Sequence, residues 1–390
     1  MKKIIVLIFC VIFSGKIVSQ TMEYNVFLIP QGYTLNLLNG YGTSALFNNV
    51  SNISSVNPAA LEYYDKSAAG LSYEYESKIN NSWTADFSSE RIGKIIPQSF
   101  GFVYPIENMR IGFSMFQKYN RYIFTVPIAV TTMSQPDGTG EFILPEFKTI
   151  IYNYSIVGSY TINNITSNSN LSLGFRFGLN NLNEYEKVSS AILNESMNRS
   201  DFSFGALYTL KESNNQYSRF GLFYQSKLRF NKITRFENNY TIVEPNHDTS
   251  GFIYANVNPP YFNLVANLPS VLRFDFDIST INNIKILGSI SNVYWSQIGN
   301  NLRNQFELSG SIVFSGSKSF LPSIGFLYTD QNYKQDYYDM TSNLQATFLI
   351  AGAVLKFVSV NVHLSLADSH LFSGDWRKET IFKTGVSYLF

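Results

Sequence analysis

Cysteine is almost missing from this 390-residue chain: Cys10 is the only one. A single thiol supports neither a disulfide framework nor a cysteine-based metal site. Charge is scarce too, 15% of the residues where soluble proteins carry about 25%. With 29 Lys and Arg against 28 Asp and Glu, the net charge is +1. That leaves no basic stripe for nucleic acid, whose binding depends on clustered cations releasing counterions. Beyond the run Ile4 to Phe13, no stretch is apolar enough for a membrane-spanning helix.

Aromatic residues are abundant, 33 Phe and 26 Tyr. The beginning, "MKKIIVLIFCVIFSGKIVSQT", places Lys2 and Lys3 before a short apolar run and then small polar residues. This is the layout of a secretory signal peptide, expected over 1–19 with cleavage after Ser19, although Lys16 and Ile17 are unusual near a cleavage site. The run is too short to cross a bilayer. An exported chain without such a helix enters a membrane only as a closed sheet.

Two-residue alternation recurs along the chain. "LSYEYE" sets Leu71, Tyr73 and Tyr75 against Ser72, Glu74 and Glu76. "NLSLGFRFGLN" sets Leu173, Phe175 and Phe177 against Ser172, Gly174 and Arg176, and "VLRFDFDIS" sets Leu272, Phe274 and Phe276 against Arg273, Asp275 and Asp277. Strand side chains alternate between two faces, so each segment has one apolar and one polar side. The expected fold is all-β: a transmembrane antiparallel barrel of about fourteen strands over 67–390. The strands are expected near 67–78, 98–106, 109–125, 149–162, 168–180, 200–211, 217–230, 271–279, 284–296, 303–314, 321–330, 345–357, 358–367 and 380–390.

A β-sandwich would alternate in the same way, but loop lengths separate the two. The connections 107–108, 163–167, 212–216, 280–283 and 315–320 are short, as is the turn at Phe357 and Val358. Those at 79–97, 126–148, 181–199, 231–270, 331–344 and 368–379 are long, and 297–302 is modest. Short turns on one rim and long loops on the other match outer-membrane barrels. "WTADFSS" is assigned to the first long loop because counting it as a barrel strand would break that parity.

Residues 20–66 lack sustained alternation and stand at the mouth of the expected barrel, where they fit as a hatch in the lumen. "YGTSALFNNVSNISSVNPAAL" resembles the hatch of the FadL/TodX family of outer-membrane hydrocarbon and long-chain fatty-acid transporters, with Asn57, Pro58 and Ala59 as its Asn-Pro-Ala motif. "NLPSVLRFDFDIS" and "VYWSQ" are similar to that family's late strands, through Leu268, Pro269, Trp295 and Ser296, and the terminal "SYLF" resembles an assembly signal read by outer-membrane assembly machinery. Bulky Phe47 stands where the family's hatch has small residues.

The resemblance implies uptake of hydrophobic small molecules, fatty acids or hydrocarbons, into the lipid of the outer membrane. Capture falls to the third and fourth long loops, the fourth at 231–270 with Ile242, Val243, Phe252, Ile253, Tyr254, Tyr261, Phe262 and Leu264 as its apolar lining. The other reading is that these residues only pack the loop on itself. For an acid ligand, Lys227, Arg229 and Arg273 supply inward cations, or else pair with Asp275 and Asp277. The resemblance also implies a side opening at strand three, where Asn57, Pro58, Ala59 and Ala60 are expected to meet Gly112. The alternative function is a FadL-like barrel that holds cargo for secretion-system proteins. His247 with Asp248, His370 with Asp368, and His363 carry no catalytic spacing, so no enzyme activity, cofactor or metal is expected.

Overall fold

Alternating segments of about ten residues hydrogen-bond side by side because each hides its polar face and presents its apolar one. The structure, a computed structural model, describes residues 33–390 apart from 45, 47–48, 78, 85–86, 92–94, 126–127, 130–141, 144–145, 189–190, 213–215, 238–239, 246–251, 258–260, 281–282, 301, 331–333, 335–344 and 374–377. The expected signal peptide, with Cys10, and the first residues of the expected hatch lie outside that set.

Fourteen strands form the barrel. They are β1 (Ala68–Glu76), β2 (Ile95–Ile106), β3 (Met109–Thr125), β4 (Glu146–Thr166) and β5 (Ser169–Val188). Next come β6 (Ala191–Lys211), β7 (Tyr217–Gln225), β8 (Val271–Ser279), β9 (Ile284–Val293) and β10 (Gln305–Phe314). The last four are β11 (Phe320–Thr329), β12 (Ala346–Lys356), β13 (Val360–Asp368) and β14 (Thr380–Leu389). Each pairs antiparallel with the next, and β14 closes on β1 from Ala68↔Leu389 to Glu76↔Ile381.

The outward face is a band of bare hydrophobics: Ile156 is 62% exposed, Phe177 50%, Leu222 53% and Ile324 56%. Inward, Ser72, Ser114, Asn180, Asp201 and Asp275 are buried. No water-soluble surface sustains an apolar belt of this extent, so the band is the lipid-facing surface. Among the described residues three non-glycines have positive φ: Glu107, Asn164 and Asn283. All three lie in short turns, where the left-handed conformation reverses the chain tightly. If the long-loop rim is extracellular, cysteines placed at Glu237 and Tyr261 are expected to react with an impermeant maleimide on intact cells, whereas cysteines at Asn108 and Asn164 react only after the periplasm is opened. Labelling of both pairs on intact cells would overturn that orientation.

Several boundaries differ from expectation. The segment 181–199 is not a loop: β5 runs to Val188 and β6 starts at Ala191, so this hairpin stands above the apolar band with β4 beside it. Its outer face there is asparagine-rich, and Asn181 Nδ2 donates to Asn198 Oδ1 at 2.9 Å. The first long loop contains a hairpin, Ile79–Thr84 with Phe87–Arg91, that pairs with the end of β3. The seventh strand ends at Gln225 instead of running to 230, and the chain resumes as Leu228–Thr234 paired with Phe262–Leu268. Ninth-strand pairing stops at Val293, and Trp295–Gln297 forms a 3-10 turn in which the Trp295 indole donates to Gln305 Oε1 at 2.9 Å.

Candidate functional site

From Thr34 to Tyr64 the chain runs along the inner face of the barrel. Thr34 Oγ1 donates to Glu307 of β10 at 2.5 Å, and Ser323 of β11 donates to the Gly40 carbonyl at 3.0 Å. Lys383 of β14 donates to the Asn36 carbonyl at 3.1 Å. Further along, Thr209 of β6 donates to Glu62 at 2.8 Å. The Arg219 guanidinium of β7 lies between the rings of Tyr63 and Tyr217, at 4.0 and 3.9 Å.

Glycines on eight strands make the room for this segment. A Cβ at Gly70, Gly101 or Gly385 would strike Asn49 or Val50, and one at Gly352 would lie 2.8 Å from the Gly40 carbonyl. The closest fit is at Asn57–Ala59, which rests on Gly174 of β5, Gly205 of β6 and Gly221 of β7. Gly174 and Gly205 are directly opposite in register. Asn57 caps the 3-10 turn Pro58–Tyr63, its Oδ1 accepting from Ala59 N at 3.0 Å. Its Nδ2 donates to the Ala206 and Leu222 carbonyls at 3.2 and 3.1 Å. The Asn-Pro-Ala motif therefore docks on β5–β7 and not on Gly112 as expected. Gly112 instead faces Ile53, whose Cδ1 would lie 2.8 Å from an added Cβ.

Among the described residues the wall itself is interrupted. Pairing of β2 with β3 runs from Ile106↔Met109 to Ser99↔Phe116, and β3 next pairs on that side at Ile123, with Arg91 of the loop hairpin. Bulges flank the break. Ser72↔Ser99 is followed by Tyr73↔Pro97, which leaves Gln98 extra. Gln117↔Tyr152 is followed by Tyr119↔Ile151, which leaves Lys118 extra. A bulge bends its strand and re-aims a side chain, and Phe116, Gln117 and Lys118 are consecutively buried. Ser99 Oγ donates to Asn52 Oδ1 at 2.8 Å, so the inner segment touches the break through Asn52.

Lys118 turns in to a buried ion network. Its Nζ lies 2.7 Å from Asp201 Oδ2, and Arg176 Nη2 lies 2.8 Å from the same oxygen. Asn180 Nδ2 donates to Asp201 Oδ1 at 2.9 Å. Sequence alternation shows Arg176 and Asp201 facing inward; Lys118 depends on the bulge.

Above this network, Leu228, Phe230, Leu264, Ala266 and Leu268 of the 228–268 ribbon pack on Ile151, Leu182, Leu193 and Met197. These four belong to the tall wall of β4–β6, and Leu182 lies on its inward side. The ribbon thus folds an apolar face over the lumen mouth.

No protein-family profile matches the chain, and no curated protein matches it. Solved structures do match. The toluene transporter TbuX of Ralstonia pickettii superposes with a TM-score of 0.62 at 10% identity, over 91% of this chain and 100% of its own. The chain has the FadL fold. A FadL homologue from Pseudomonas aeruginosa gives a TM-score of 0.59 at 13% identity, over 93% of this chain and 99% of its own. The toluene transporter TodX of Pseudomonas putida gives 0.57 at 12% identity, over 92% and 97%.

Within this FadL fold the expected site residues scatter. Leu264 is in the apolar cluster, while Tyr261 is 61% exposed under the Arg235 guanidinium, 5.2 Å from its ring centre. Ile242 and Val243 pair by backbone with a strand holding Phe252, Ile253 and Tyr254, and Phe262 pairs with Thr234. Arg273 is buried and faces inward, its Nε donating to Asp275 Oδ2 at 3.2 Å. Lys227 and Arg229 are exposed, contrary to the expectation of inward cations. The strand breaks at Gln225, so the alternation restarts out of phase, and Leu228 and Phe230 take the buried side. His247 and Asp248 lie outside the described residues. His370 Nδ1 lies 3.0 Å from Asp368 Oδ2 on an exposed loop, and His363 is buried beside Tyr41. Among the described residues, no three His, Cys, Asp or Glu are grouped to hold a metal.

Proposed function

We propose that the protein is an outer-membrane channel for passive uptake of hydrophobic compounds, long-chain fatty acids or hydrocarbons. The observation that carries this reading is the interrupted β2–β3 ladder lying in the same upper lumen as an apolar cap. An apolar molecule gains nothing from a water-filled axial pore. It is captured where Phe230, Leu264 and Leu268 meet the tall wall, moves down past the bulge at Lys118, and leaves sideways into lipid. The segment around Asn52 and Asn57 acts as the hatch that keeps the axial route shut. Hydrogen bonds such as Ser99 to Asn52 satisfy polar groups beside the break, which hydrocarbon would otherwise leave bare.

Phe230 is fully buried in the cap. The substitution Phe230→Glu is expected to lower the initial rate of dodecane uptake by about tenfold, equivalent to ~1.4 kcal/mol of lost capture. Outer-membrane abundance and heat-modifiable migration should stay unchanged. Wild-type uptake by this variant would reject the cap as the capture site and favour a scaffold that holds secretion cargo.

A further inference from the structure

Between the inner segment and the upper wall lies a cavity of about 20 Å³, room for roughly one water-sized sphere. Among the described residues three cations line it, Lys118, Arg176 and Arg273, and no carboxylate does. Two carboxylates pair with these cations from behind. Asp201 serves Lys118 and Arg176, and Asp275 serves Arg273. One positive charge is left over within this group.

Three donors at the cavity are also unspent. Arg273 Nη2, Gln225 Nε2 and Ser54 Oγ are buried without a hydrogen-bond partner, in residues 3%, 7% and 2% exposed. Arg273 and Gln225 come from β8 and β7, and Ser54 from the inner segment. Buried donors without acceptors are costly, and a buried charge without a counter-charge more so. A water molecule would accept from two of the donors but leave the surplus charge. An anion removes both deficits.

We infer that this cavity is a site for one small anion, a halide or the oxygens of a carboxylate, clamped between the Arg273–Gln225 wall and Ser54. The occupant ties the inner segment to the barrel at a point distinct from the Asn57 dock. A carboxylate has two sources: a free organic acid, or the head of an apolar ligand. The second source rests on the uptake reading, and the site itself does not.

The test uses the full chain purified in a non-ionic detergent. Crystals grown in sodium bromide are expected to give an anomalous peak between Arg273 and Ser54. In solution, chloride-35 line broadening should report the same site, with Gln225→Met weakening chloride about tenfold through loss of one charge-assisted hydrogen bond. Arg273→Gln should abolish the broadening. Heat-modifiable migration of both variants checks that the barrel has formed, and Gln225→Met carries the test if Arg273→Gln does not fold.

Reversal of the broadening by both acetate and dodecanoate, but not by dodecanol, supports the site and makes it open to any carboxylate. Reversal by dodecanoate alone supports it as a ligand-head site. Reversal by neither supports a dedicated halide site. Absence of the bromide peak, together with broadening that Gln225→Met leaves unchanged, overturns the inference. If bromide binds but dodecane and dodecanol do not bind anywhere on the protein, the uptake reading falls and the anion site stands.

Discussion

Asp201→Asn is expected to destabilise the barrel by about 3–5 kcal/mol, the range for breaking a buried ion pair from one side. Lys118, Asp201 and Arg176 have side chains only 6%, 0% and 2% exposed, so water cannot replace the lost carboxylate. The amide would keep a hydrogen-bond acceptor, yet two cations would face each other without a counter-charge. Denaturant unfolding in detergent micelles measures the loss. Lys118→Met should cost much less, because Asp201 keeps Arg176 and the Asn180 amide. The methionine variant should instead release the bulge that Lys118 holds, and slow uptake while the barrel remains stable. An Asp201→Asn midpoint equal to wild type would show that the network does not support the wall.

Gly205→Leu is expected to open the barrel axis without unfolding it. A Cβ there would overlap Asn57 Oδ1, and overpacking of that kind costs about 1–3 kcal/mol. The segment can avoid the clash only by giving up the bonds from Asn57 Nδ2 to the Ala206 and Leu222 carbonyls. The outward face and the strand ladder are untouched, so the cost falls on the dock. Ion conductance across a planar bilayer should rise at least several-fold over the wild-type baseline. Gly158→Ala is the control, since its added Cβ would find only the Arg110 carbonyl, at 3.9 Å. Baseline conductance in the leucine variant would show that the Asn57 turn does not block the axis.

Much of the barrel was legible because lipid imposes a simple code. Leu173, Phe175 and Phe177 alternate with Ser172 and Arg176 whatever lies in the lumen, and the two rims need turns of different length. The code stops at the edge of the apolar band. The upper hairpin of β5 and β6 is built on Asn181, Asn183 and Asn198, which pair as strands without apolar alternation, so that stretch reads as a loop. Simple alternation fails to place a side chain where the period slips by one residue. Lys118 is buried through a bulge that its local sequence does not announce, while Arg229 is exposed because the chain restarts after Gln225. The dock of Asn57 is not legible in sequence for another reason. Gly174, Gly205 and Gly221 are far apart in sequence and act together only once β5–β7 are paired; their shared meaning was absent from any one segment.

The inner segment also constrains how the molecule is made. It crosses the β1–β14 seam on the inside, with Asn49 and Val50 against Gly70 of the first strand and Gly385 of the last. It is fastened as well to Ser311 and Ser323, which are synthesised hundreds of residues later. Once the seam has zipped, the cylinder is too crowded at that level for the segment to thread in. Threading must therefore precede or accompany the final zipping, which makes the segment ahead of β1 a template around which the last strand is sewn.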